Sequence, residues 1–194
     1  MSAYSHLVMM APATVTKRSL STAEERREAV LAAAMQVFGE RGFLGTPTMD
    51  IAKAAGISQA YLFRLFPSKL DLVLAVVERS NQAIYEAFAQ AAARARADGT
   101  DPGEAMGGAY SEMLADRRLL LTQIHQHAAA ASMPEVAEAA RRCFERLVEL
   151  VERETGAAPE AVQSFFAHGM LMNVMAAIGA DDKHGRWAQI LRVC

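Results

Sequence analysis

Residues 46–66 read TPTMDIAKAAGISQAYLFRLF, and the spacing inside this stretch decides what kind of fold the chain adopts. Thr48 stands where a short helix would be capped, Ile51, Ala52 and Ala55 are its apolar members, and Gly56 breaks it at a position suited to positive φ. Ser58 caps the next helix, which carries Leu62, Leu65 and Phe66 inward and is closed by Pro67. Ile51, Ala55, Ile57, Leu62 and Leu65 then pack between the two helices, with Ala52 small where they cross. Ser58, Gln59, Ala60, Tyr61 and Arg64 are left on the outer face of the second helix, the face that a helix-turn-helix lays in the DNA major groove. An ordinary αα-corner in an all-helical protein is the alternative reading of the same pattern.

The surrounding sequence is helical in both directions. Val30, Ala33, Ala34, Val37 and Phe38 recur at three- and four-residue spacing behind Glu24, Glu25 and Glu28, which predicts a first helix over 21–41. The corner supplies helices over 48–55 and 58–66. Ser68 and Asp71 form a capping-box pattern ahead of Leu70, Val73, Leu74, Val76 and Val77, so a fourth helix is expected to reach Ala97. Residues 98–102, DGTDP, are a break. Longer helices follow over 103–116, 117–132, 134–155 and 158–180, with Pro134 and Pro159 in first turns and Gly156 at a C-cap. A polar loop at 181–185 and a small last helix from Trp187 to Val193 complete the pattern, and residues 1–20 read as a disordered tail.

Composition agrees. Of 194 residues 39 are Ala, against 7% aromatics. Ala is the strongest helix former, whereas strands favour β-branched and aromatic residues, so the fold class is all-α. Cys143 and Cys194 have no C-x-x-C spacing, which argues against a disulfide scaffold and for a reducing compartment. No apolar run reaches the roughly 18 residues of a membrane span, and a cytoplasmic protein is expected.

From about Glu24 to Arg79 the chain resembles the DNA-binding domain of the TetR family of bacterial transcription regulators. The motifs are Phe38, Gly42 and Phe43 at the end of the first helix, TMDIAKAAGIS at 48–58 and LFRLFPSK at 62–69. The resemblance implies a three-helix DNA-binding domain over 21–80, with its helix-turn-helix at about 46–65, and a helical ligand-binding and dimerisation domain over 81–194. It implies DNA contacts from Thr46, Thr48, Ser58, Gln59, Ala60, Tyr61, Phe63, Arg64 and Lys69. Within that set, Thr48 and Lys69 stand at helix N-termini where a phosphate binds well, Gln59 can pair with adenine, and Arg64 can reach guanine or phosphate. Ala60 can meet a thymine methyl. Many members of the family carry Tyr where this chain has Phe63, which cannot donate that hydroxyl to a phosphate.

In the last long helix, SFFAHGMLMNVMAAIGA at 164–180 is apolar around nearly its whole circumference, as expected of a helix buried on two sides. A central position in one protomer would explain it, as would a homodimer interface in which Gly169, Ala176 and Gly179 allow close approach. The interface is assigned to Phe144, Leu147, Val151, Gly169, Met170, Asn173, Ala176 and Ala177. Eleven Met residues, several on these helices, suit either a core or an adaptable pocket for a largely apolar effector. The pocket candidates are Met106, Tyr110, Met113, Ile124, His127, Phe165, His168 and Met172.

No metal, cofactor or catalytic constellation is expected. His125 and His127 are two apart on a helix and point about 200° away from each other, so they cannot share an ion. No nucleophile-elbow, P-loop or dinucleotide motif occurs. The net charge of -2 hides an asymmetry: residues 1–69 hold eight Lys and Arg against five acids, or +3, and the remainder twelve against seventeen, or -5. A basic reading head on an acidic body suits a regulator facing DNA. The expectation is a ligand-responsive, homodimeric repressor on a palindromic operator. A helical interaction protein with a non-binding corner, and an all-α enzyme, are the rivals.

Overall fold

The computed structural model describes residues 23–180 and 185–191, and these contain nine α-helices and no strand. The expected tail at 1–20, residues 181–184 of the polar loop, Val193 and Cys194 lie outside the described residues. The helices are α1 (Ala23–Arg41), α2 (Thr48–Ala54), α3 (Gln59–Leu65), α4 (Lys69–Asp98), α5 (Pro102–Leu114), α6 (Arg117–Ala130), α7 (Pro134–Thr155), α8 (Pro159–Ala177) and α9 (Arg186–Leu191).

Local chemistry sets these limits. The Ser58 hydroxyl accepts from the Tyr61 amide to cap α3, and Ser68 and Asp71 close a full capping box on α4. Gly56 opens the α2–α3 turn at φ 66°, where a Cβ would be strained. Pro134 and Pro159 begin α7 and α8. Two expectations change. Thr48 is the first residue of α2, not its cap, because Pro47 takes the cap position and offers no side-chain acceptor. Gly179 ends α8 in the left-handed region, at φ 63°, so its role is helix termination and not close helix approach.

Two apolar cores lie along α4, whose 30 residues span about 45 Å. Leu72, Val73, Val76 and Val77 pack with Val30, Ala34 and Phe38 of α1, Ile51 of α2 and Leu62 of α3. Ala129 of α6 and Val136 and Ala139 of α7 also enter this first core, so the C-terminal helices abut the reading head directly. Ile84, Phe88, Ala91 and Ala92 pack with Met106 and Tyr110 of α5, Leu120 of α6, Leu147 and Leu150 of α7 and Val162 of α8 in the second. Between the two, α4 buries the polar pair Ser80 and Asn81.

Candidate DNA interface and cavity

The α3 helix projects from the first core on Leu62, with Ser58, Ala60, Phe63 and Arg64 exposed and Gln59 and Tyr61 half-buried. The expected readers are tied to one another. Gln59 Nε2 donates to the Thr48 hydroxyl at 2.9 Å, bridging the N-termini of α3 and α2. The Tyr61 ring carries the Arg64 guanidinium 5.4 Å from its centroid and that of Arg26 at 5.8 Å, so it positions cations on this face. Lys69 Nζ donates to the Leu44 carbonyl at 2.8 Å, and its partial burial pulls its pKa below the ordinary lysine value. Phe63 remains 39% exposed on the same helix.

Thr46 does not stand on this surface. It is 0% exposed, and its hydroxyl donates to the Gly42 carbonyl at 2.6 Å, closing the loop between α1 and α2. Its contribution is to hold the corner in place. Arg27, which the sequence did not single out, covers the Phe66 ring at 4.2 Å and donates to the Leu65 carbonyl at 3.3 Å, fastening α1 to the end of α3.

A cavity of about 940 Å³ opens in the second core between α4, α5, α6, α7, α8 and α9. Six rings follow one another around it, edge to face: Tyr110, Phe88, Phe165, Phe166, Phe144 and His127, with successive centroids 5.5 to 6.0 Å apart. Both ends of this arc meet on one residue. The Tyr110 hydroxyl donates to Gln123 Oε1 at 2.8 Å, and His127 Nδ1 lies 3.2 Å from the Gln123 carbonyl. Asn173 Nδ2 donates to the Tyr110 oxygen at 2.6 Å. Burial pushes the Tyr110 phenol up to about 12 and the Cys143 thiol up to about 11, and it holds His127 below the ordinary imidazole value. These three groups are therefore neutral near pH 7.

Of the expected pocket residues, Tyr110, His127, Phe165, His168 and Met172 line this cavity. Met106 does not: it is wholly buried inside the second core. Met113 and Ile124 pack against that core and are absent from the lining as well. The wall is aromatic and polar instead of thioether-rich, with Met170 and Met172 the only methionines on it among the described residues. Sequence reasoning missed Asn81, Gln123 and Gln126, which are buried at the cavity wall. Their signal was a polar residue on an apolar stripe: Val77, Asn81, Ile84 and Phe88 keep helical spacing along α4.

Several residues expected at a dimer interface face inward in the protomer. Leu147, Val151 and Asn173 are buried, and a Cβ on Gly169 would meet the Tyr110 ring at 3.5 Å, so its smallness serves an intrachain contact. Ala176 and Ala177 pack on the second core. Met170 and Phe144 are the exposed members of the set, and Val174 on α8 and Ile178 at its C-cap, unassigned before, extend the strip outward.

Among the described residues, no group of three or more His, Cys, Asp and Glu could hold a metal ion, and no helix is long and apolar enough to cross a membrane.

Residues 30–76 match the family described as bacterial regulatory proteins, tetR family. The transcriptional activator FasR of Mycolicibacterium smegmatis is 45% identical over 56 residues, 29% of this chain and 26% of FasR. The transcriptional repressor BepR of Brucella suis is 37% identical over 76 residues, 39% of this chain and 36% of BepR. The chain thus spans about a quarter to a third of these curated relatives. Over nearly its full length it is similar to the crystal structure of a TetR-like transcriptional regulator from Rhodococcus sp. RHA1, with a TM-score of 0.61, 25% identity, and coverage of 86% of this chain and 91% of that one. The chain therefore carries the DNA-binding domain of the tetR family of bacterial regulatory proteins, joined to a helical body of the same fold as a regulator of that kind.

Proposed function

We propose that this protein is a ligand-responsive transcription repressor that binds a palindromic operator as a homodimer and releases it when a small molecule occupies the cavity of the second core. The observation that carries this reading is the position of α6 between the two sites. One side of α6 brings Gln123, Gln126 and His127 to the cavity. The other lies against the end of α1, where His125 Nε2 donates to the Gly39 carbonyl at 3.1 Å and a Cβ on Gly39 would meet Leu121 at 3.5 Å. Cavity contents and reading-head position are thereby written on one short helix. Asn81 supplies a second link, because it lines the cavity from α4 only a few residues beyond the first-core members Val76 and Val77.

The mechanism is a population shift: a ligand that prefers one setting of α6 and α4 favours the arrangement of reading heads that goes with it. Two copies are needed because one α3 reads one half-site, and half-sites fall about 34–36 Å apart on one face of the duplex. The outward strip of Met170 and Val174 on α8 and Ile178 at its C-cap, at 37%, 49% and 59% exposure and four-residue spacing, supports the assignment of the dimer contact to that helix. The reading head itself does not set the sign of regulation, since FasR and BepR are named as an activator and a repressor. Steric occupation of promoter DNA favours repression.

The test is selection of genomic fragments on the purified protein, followed by a reporter fused to the selected promoter. Deletion of the protein's gene should raise expression. Retention of no fragment at low salt would sink the DNA-binding reading, and a fall in expression would reverse the sign.

A further inference from the structure

We infer that the cavity takes an uncharged ligand whose one edge carries a hydrogen-bond donor beside an acceptor, as a lactam or unsubstituted amide does, set on a flat aromatic or apolar body. The inference deepens the effector-site reading above and rests on it.

The first observation is a set of unpaired polar atoms. Asn81 Nδ2, Gln123 Nε2, Gln126 Oε1, His127 Nε2 and Asn173 Oδ1 are buried without a hydrogen-bond partner, and all five residues line the cavity. Four of them are between 2% and 5% exposed. Buried amides are nearly always paired, so such a cluster around one cavity marks where a ligand's polar groups belong.

The relay through Tyr110 fixes what those groups must be. Its hydroxyl has one proton to give, to Gln123, and accepts from Asn173. One amide therefore meets Tyr110 through its oxygen and the other through its nitrogen. Whichever way the relay runs, the outer ends are one free NH₂ and one free carbonyl. Exchanging O and N in both amides reverses the direction and keeps this parity. The relay thus presents one donor and one acceptor, and its complement presents the same.

His127 adds a further acceptor, in addition to Gln126 Oε1. Its Nδ1 faces the Gln123 carbonyl, which can only accept, so Nδ1 bears the hydrogen and neutral Nε2 offers a lone pair. A ligand donor satisfies it.

Charge is excluded by the same lining. Among the described residues that form it there is no Lys or Arg, and its one carboxylate, Glu104, is exposed. An anion or cation would lose its water without gaining a buried counter-charge. Phe88, Phe165, Phe166 and Phe144 supply flat walls for the body.

The test is calorimetric titration of the full chain with four probes: 2-quinolone, N-methyl-2-quinolone, quinoline-2-carboxylate and N-methylquinolinium. The lactam is expected to bind at least about tenfold more tightly than its N-methyl form, one hydrogen bond's worth, with both ions weaker still. Asn173→Leu and, separately, Tyr110→Phe should erase the difference between the two neutral probes, and circular dichroism checks that each variant is folded. Should either fail to fold, the four wild-type affinities decide alone. Equal affinity for the two neutral probes, or preference for either ion, overturns the ligand class while leaving an effector site in place. Silence from all four overturns the class and the effector site together.

Discussion

His125 and His127 stand two residues apart on α6 and face opposite ways, His125 hydrogen-bonded to Gly39 at the end of α1 and His127 closing the aromatic arc of the cavity beside Phe144. Two residues turn a helix by about 200°, so one turn of α6 has a face on each site. His125→Ala should leave cavity binding of 2-quinolone unchanged while reducing its effect on operator affinity. In a coupled protein that effect is about 5–150-fold, and in the variant it should approach one. Fluorescence anisotropy of a labelled operator with and without ligand measures it, and an undiminished effect would clear His125 of the role.

Gln59 and Thr48 are a bonded pair, and on the proposed docking of α3 they meet DNA as one unit. Gln59→Ala and Thr48→Val should each weaken the preferred operator by about 1–3 kcal/mol, and the double variant by little more than either alone. Additive losses would mean the pair separates on DNA. Lys69→Ala should weaken all sequences alike and reduce the salt slope of binding by about one.

Met106 and Met172 belong to different environments despite their common chemistry. Met106→Ala leaves a hole in the second core and should cost about 2–5 kcal/mol in urea unfolding. Met172→Ala at the cavity wall should cost clearly less, because no closed packing is lost there. Equal losses would argue that the cavity collapses around its wall.

Burial of His127 makes stability depend on pH. Its folded pKa lies below the ordinary 6.5, so the unfolded chain takes the proton first. The contribution is complete above about pH 6.5 and is lost as pH falls through the folded value. Tyr110 and Cys143, which line the same cavity, keep their protons throughout, and Glu104 and His168 are exposed. His127→Gln should therefore lose less stability than the parent between pH 8 and pH 5, read as the shift in urea midpoint.

Val174→Glu on the outward strip of α8 should convert a dimer into a monomer at micromolar concentration, with helicity retained. Sedimentation velocity reads the mass. An unchanged mass would move the interface elsewhere.

The corner was legible because it is local. Gly56, Ser58 and Leu62 act within a turn or two of the chain, and the structure places them as their spacing requires. Thr46 is misplaced by the sequence, and the Gln59–Thr48 bond is invisible in it, because the partners Gly42 and Thr48 are chosen by how the loop folds back and not by periodicity. The C-terminal helices show the same limit. Periodicity marks an apolar face but not whether core, cavity or a second copy meets it, which is why Met106, expected at the cavity, and Val151, expected at a dimer interface, both lie in the core. On α8, apolarity all round meant a cavity on one side and an exposed strip on the other. Asn81, Gln123 and Gln126 are discernible as polar intrusions on buried stripes, but spacing alone does not say that a cavity lies behind them.

The arc from Tyr110 to His127, closed through Gln123, takes at least one ring from each of five helices, α4 to α8. It is a hoop with no loose end. Displacing one ring disturbs its neighbours on the adjoining helices, so for the effector proposed above the cavity would act as a gauge of the occupant's girth.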